Sequence, residues 1–260
     1  MSRSSLALQV GVLARRSVVR TLRQPAMVIP AVLFPLILLS INSGGLDSAT
    51  RIPGFPTDSY FQFALALAFV QGALFSSNSA GTNVASDIES GFLNRLALTP
   101  LRRLALMLGM LGGILALGLI QAMTFLGVGW VFGAEFEAGI PGALTIVALS
   151  LLISLGFGCI GAFVALRAGN GEAVQGAFPL LFAALFLSSM SLPRNLIEND
   201  WFQTVATWNP VSYMLEGIRS LMIEGWDPEA LALGFACAGG IALLSLLAAS
   251  SALRTRMVRT

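Results

Sequence analysis

Lysine and histidine are missing from this chain of 260 residues, and cysteine occurs only twice. All 15 basic residues are therefore arginine. Without lysine the chain cannot form a phosphate-binding loop of the GxxxxGKS or GxxxxGKT kind, whose lysine reaches the β- and γ-phosphates. It is not a conventional P-loop ATPase by itself. The lack of histidine, with Cys159 and Cys237 alone, excludes most zinc, haem and iron–sulfur sites. Both cysteines stand in apolar runs, GFGCIGAF and GFACAGG, where a small buried thiol is the expected role. Charge is scarce too. Only 11% of residues are charged, against about 25% in a soluble domain. With 56% hydrophobic residues and a mean hydropathy of +0.82, the chain is expected to cross a membrane several times.

About 20 mostly apolar residues cover the hydrocarbon core. Six stretches serve: 25–43, 60–80, 104–132, 141–166, 173–192 and 230–253. The first opens with Pro25, where a helix tolerates proline, and holds Pro30 and Pro35, two expected kinks. The third is longer than a crossing requires and should tilt or project. None carries a clear charge at its centre. Proton-coupled carriers need such acids or histidines as relays, so that class is disfavoured, and an intramembrane enzyme lacks its base or metal cluster. The segment before the first stretch places Arg3, Arg15, Arg16, Arg20 and Arg23 where an apolar signal core would lie, so no cleavable secretion signal is expected. If the N-terminus is cytoplasmic, only Arg51, Arg194 and Arg219 fall in outer segments, and Asp87, Glu89 and Glu172 are the inner acids. Arginine bias of this kind sets orientation. Six spans then return the C-terminus to the cytoplasmic side.

One charged stretch interrupts the apolar pattern: SDIESGFLNRLALTP, Ser86 to Pro100. On a helical wheel Ile88, Phe92, Leu93, Leu96 and Ala97 share one arc, with Asp87, Ser90 and Asn94 opposite. Asp87 and Glu89 near the start and Arg95 near the end would complement the helix dipole, and Pro100 would end the helix. The expectation is a short amphipathic cytoplasmic helix, either packed on the membrane surface or docked on a partner.

The motif DIESGFLNRLALTPLRRLALMLG resembles the first cytoplasmic loop of ABC-2-type exporter permeases, the family of daunorubicin-resistance and polysaccharide or lipid exporters. That loop reads acid, E-x-G-T-L-E-x-L, proline, a basic residue and an apolar helix opening L-G-K. Glu89, Gly91, Leu93, Leu96, Pro100, Arg102 and Gly109 match it; Phe92, Asn94 and Met110 stand where Thr, Glu and Lys are usual. A second match is FLSSMSLPRNLIENDWFQTVATWNPVSYMLEGIRSLM, similar to the family's N-P-x-x-Y-x-x-E/D-x-x-R segment through Pro193, Trp201, Asn209, Pro210, Tyr213, Glu216 and Arg219. RQPAMVIPAVLFPLIL is similar to its first span.

The resemblance implies an all-α membrane protein of six transmembrane helices: a connecting helix in 1–24, a transmembrane domain in 25–260, a coupling helix in 86–100, and an external re-entrant hairpin in 193–228. It implies a bacterial plasma-membrane permease subunit that exports a drug, a lipid or a lipid-linked glycan. It would pair with a second permease copy or paralogue and with two ABC ATPase subunits that bind Mg-ATP. No cofactor is expected in this chain, and no nucleic acid among its partners. Asp87, Glu89, Gly91, Phe92, Leu93, Arg95, Leu96 and Pro100 would then contact the ATPase, with Phe92 as anchor.

Arg16, Arg20 and Arg23 form a basic stripe for anionic lipid or for the ATPase. Phe178, Phe182 and Phe186 recur every four residues, as packing or lipid-facing rings or as a substrate pocket. Gln71 and Asn78 share a face, for a substrate path, a dimer contact or a hydrogen bond within the subunit. The hairpin acids and tryptophans either anchor it at the interface or gate the exit. Glu216 and Arg219, three apart, can pair. Small-residue runs such as LGMLGGILALG signal close helix packing. The rival readings are a non-exporting scaffold or sensor of an ABC-type complex, and an unrelated channel or carrier.

Overall fold

The computed structural model describes residues 5–97 and 102–258. Pro100, the expected terminator of the loop helix, lies outside them. Within them the chain is helical: α1 (Leu6–Leu22), α2 (Pro25–Gly45), α3 (Tyr60–Glu89), α4 (Phe92–Ala97), α5 (Arg103–Val131), α6 (Gly139–Ala168), α7 (Gly171–Phe186), α8 (Asp200–Trp208), α9 (Pro210–Arg219) and α10 (Pro228–Val258). Local chemistry sets several starts. Pro25 and Pro210 occupy the first turns of α2 and α9. The side chains of Ser59, Asn170 and Asn209 accept amide protons at the N-termini of α3, α7 and α9.

The hub is α3, buried on nearly every side against α2, α5, α6 and α7. Its closest neighbour is α6. A Cβ on Gly161 would stand 1.9 Å from the Ser77 carbonyl oxygen, so the backbones touch where no side chain intervenes, as the small-residue runs led us to expect. Farther out, α10 packs on α6 and α9, and α1 crosses α5 where Gly109, Gly112 and Gly113 meet Leu13, Ala14 and Ser17.

Among the described residues five helices, α2, α3, α5, α6 and α10, are long and apolar enough to cross a membrane. The fifth expected span, 173–192, is shorter than the sequence led us to expect. α7 has 16 residues and stops at Phe186, reaching about 24 Å of the roughly 30 Å hydrocarbon layer. Beyond it Leu187 to Pro193 is irregular backbone. The loop helix differs as well. Asp87 and Glu89 do not open a helix; they end α3. The break is at Gly91, whose φ of +68° disfavours any residue with a Cβ, and only Phe92–Ala97 forms the separate helix α4.

Candidate functional site

Ending α3 with acids is electrostatically awkward, because the C-terminus of a helix carries partial negative charge. Two neighbours relieve it. Arg16 and Arg20, one turn apart on α1, both reach Asp87. Arg16 grips it with two hydrogen bonds of 2.8 and 3.2 Å, and Arg20 donates at 2.6 Å. The Arg16 guanidinium also lies 3.8 Å over the Phe92 ring. Glu89 turns the other way and accepts the Gly171 amide at 3.1 Å, where the N-terminus of α7 favours a negative charge. The loop is thus tied to α1 on one side and to α7 on the other.

The apolar face of the loop behaves as the wheel indicated in part. Ile88 and Leu93 are buried, and Leu96 packs beside them, in a cluster with Leu106, Met107, Ala165, Leu166 and Leu253. Phe92 is only half-buried. Arg95 is exposed, donating to the Ser90 carbonyl at 3.4 Å. Two of the three arginines of the basic stripe, Arg16 and Arg20, are spent on the protein's own loop. That pairing was missed in the sequence, although an i, i+4 arginine pair and an isolated loop acid were its visible ingredients.

In mid-bundle, Phe178 and Phe182 of α7 close into one aromatic cluster with Phe34 of α2 and Phe75 of α3, at centroid distances of 5.1 to 6.2 Å. Phe186 joins at its edge, 6.2 Å from Phe182, and is exposed on its outer side. Phe34 and Phe75 were not singled out from the sequence. Gln71 and Asn78 lie on the same α3 face as Phe75, and Gln71 is only 2% exposed. Among the described residues Gln71 Oε1, Asn78 Oδ1, Thr82 Oγ1 and Asn83 Oδ1 are buried without a hydrogen-bond partner. Each such atom costs about 1–3 kcal/mol, so α3 carries stored polarity on its way to the loop. Gln121, also overlooked, joins three helices at this depth by donating to the carbonyls of Ala31 and Gly72 at 3.0 and 2.9 Å.

At the opposite end, α9 repairs the break in α7. Arg219 is 6% exposed. Its Nε donates to the Phe63 carbonyl at 3.2 Å, and Nη1 and Nη2 donate to the carbonyls of Ser189 and Met190 at 2.6 and 2.7 Å. Its Cζ lies 3.6 Å over the Phe63 ring. Ser212 accepts the Ser189 amide at 3.0 Å, Tyr60 donates to the Ser191 carbonyl at 2.9 Å, and Asn209 donates to the Ala184 carbonyl. Irregular backbone at such depth is tolerated only where protein or a cavity satisfies it, and here side chains of α3 and α9 do so.

The expected Glu216–Arg219 pair is not what forms. Glu216 pairs with Arg194 at 2.6 Å, because Arg219 is drawn inward to the three carbonyls. Burial alone would push the Arg194 guanidinium down, but Glu216 and Tyr213 hold it above its ordinary value. After Arg219 the helix widens into a π-turn, Ser220–Glu224. The Leu221 carbonyl accepts the Ala138 amide, and the Met222 carbonyl accepts from Gln62. Pro210 begins α9, Tyr213 donates to the Thr207 carbonyl at 2.9 Å, and Trp201 is exposed on α8. All four tryptophans are exposed at this end, Trp130 at 81% and Trp208 at 84%.

Comparison with known proteins agrees with this architecture. The model of the ABC-2 type transporter family matches residues 8–223. Among curated proteins, the chain is 24% identical over 213 residues to a protein of Porphyra purpurea named transport permease ycf38, covering 81% of this chain and 72% of that one. The same-named protein of Pyropia yezoensis is 28% identical over 221 residues, covering 84% and 75%. That of Cyanophora paradoxa is 27% identical over 212 residues, covering 81% and 72%. The match runs from the arginine helix α1 to the π-turn beyond Arg219, and it places this chain in the ABC-2 type transporter family as a multi-pass membrane transport permease.

Proposed function

We propose that the chain is the membrane-spanning subunit of an ATP-driven exporter in a bacterial plasma membrane, and that its arginine-rich end faces the cytoplasm. The arginine distribution supports that orientation. Arg16, Arg20, Arg95, Arg102, Arg167 and Arg256 belong to the end bearing the loop, and Arg51, Arg194 and Arg219 to the other. The family generally pairs with an ABC ATPase. In this reading two ATPase subunits holding Mg-ATP act on two permease copies, or on this chain and a paralogue.

One observation carries the coupling role: α3 runs without interruption from Tyr60 in the core to Glu89 in the loop, and Asp87 and Glu89 tie that tip to α1 and α7 at once. A push on α4 and the tip of α3 is thereby delivered to both walls beside the aromatic cluster. Docking centres on Phe92, Leu96 and Arg95, with Leu93 and Ile88 fixing α4 from beneath and Gly91 setting its angle. The path for a hydrophobic or amphipathic substrate runs beside α3 and α7. Phe178, Phe182 and Phe75 form its apolar wall and Asn78 a polar point, while Gln71 is covered in this conformation. The hairpin from Pro193 to Pro228, with Trp201 and Trp208 at the outer interface, closes the far end.

The test is Phe92→Asp in cells that make the permease with its ATPase. The variant should accumulate normally, while ATP hydrolysis no longer drives export and the ATPase co-purifies poorly. Undiminished export at normal expression would sink the docking role.

A further inference from the structure

A chamber of about 490 Å³ opens at the end of the bundle opposite the loop, lined among others by Arg194, Gln203, Glu216, Arg219, Glu224 and Asp227. Arg219 is its buried wall. A guanidinium has five N–H donors, and three of these go to the carbonyls of Phe63, Ser189 and Met190. One N–H is left on each terminal nitrogen. Among the described residues no carboxylate touches Arg219: Glu216 acts on it from a distance only, its carboxylate being held by Arg194. Carbonyl dipoles stabilise a buried cation without neutralising it, so an anionic oxygen in the chamber would gain both the free N–H groups and the charge.

The same lining also carries the opposite sign. Glu224 is exposed at the close of the π-turn. Asp227 uses Oδ1 to accept the amides of Glu229 and Ala230, which leaves its second oxygen open. A ligand of single charge would satisfy one sign and be repelled by the other.

We propose that this chamber binds a zwitterionic group, with a phosphate ester or carboxylate at Arg219 and an ammonium at Glu224 and Asp227. That chemistry occurs both on lipid headgroups and in small free solutes. Binding to the isolated chain requires no ATPase, so the proposal and the coupling role fail separately.

The probe is soluble phosphocholine, titrated calorimetrically into the full chain in a maltoside detergent. Saturable binding is expected, about tenfold tighter than that of inorganic phosphate or choline alone. Arg219→Lys should abolish it, but that variant also loses its carbonyl bonds. Glu224→Gln, on an exposed side chain, keeps the fold and is the decisive change. It should weaken phosphocholine by about fivefold while leaving phosphate binding unchanged or slightly tighter, because one repelling carboxylate is gone. The chain in nanodiscs separates the two sources. Loss of probe binding in phosphatidylcholine discs but not in phosphatidylglycerol discs assigns the site to a lipid head, and binding in both assigns it to a free solute. No saturable binding, equal affinity for phosphate and phosphocholine, or an unaltered Glu224→Gln variant would each overturn the proposal.

Discussion

Arginines brace both ends of this bundle, but in opposite ways. At the loop, Arg16 and Arg20 meet Asp87 near the surface, with the Arg16 side chain 41% exposed. At the far end Arg219 is buried and spans three backbone carbonyls from two separate segments. Water competes freely with the first contact and reaches the second only along the edge of the guanidinium that lines the chamber. The loop end is therefore a joint that can yield under load, and the far end is a pin that holds the broken α7 to α9. The proposed coupling role would need both: one adjustable end and one fixed end.

The strongest test of the contrast is Arg219→Gln. It leaves buried carbonyls unpaired and should cost about 3–5 kcal/mol, read as a large fall in the thermal unfolding midpoint in detergent. Near-normal stability would mean that α7 needs no pin. Gly161→Val serves as a mid-bundle reference. With the Ser77 carbonyl already in the way, a loss of about 1–3 kcal/mol is expected by the same measurement. Asp87→Asn should cost only about 1 kcal/mol or less, yet it should raise amide exchange in α1 and α4 together, because the carboxylate fixes Arg16 and Arg16 in turn lies over the Phe92 ring. An effect confined to one helix would separate them. The smallest effect comes from added salt. It screens the exposed pairs and should speed exchange in α1 and α4 while leaving Leu187 to Met190 unchanged.

Much of the architecture was legible because apolar length is a strong signal. The helices α2, α3, α5, α6 and α10 begin or end within a few residues of the stretches read from hydropathy, except that α3 runs nine residues farther, to Glu89 rather than 80. The overrun has a plain cause. The helix does not stop where its residues become polar; it stops at Gly91, where the backbone turns left-handed. The fifth stretch failed for the complementary reason. Leu187 to Leu192 is apolar or small enough to continue a helix, but Arg219, Ser212 and Tyr60 offer its backbone groups better-placed partners.

The loop residues were found by motif, while their partners were not. An acid in a loop reads as free for a docking protein; Asp87 is occupied by the chain's own α1. Glu216 and Arg219 read as a helix pair by spacing, but spacing cannot say that Arg194, 22 residues away from Glu216, arrives at 2.6 Å. Phe34 and Phe75 were invisible as site residues because lone aromatics in apolar spans carry no periodic mark.

Composition and hydropathy alone determined that this chain lacks a P-loop lysine and is apolar enough to span a membrane repeatedly, since transfer of apolar length from water is additive along a chain; the permease-like loop was read from its resemblance to a known motif. Which charge meets which, and where α7 breaks, were decided only by the folded molecule. Those outcomes depend on distances between segments far apart in sequence and on which groups are sealed from water.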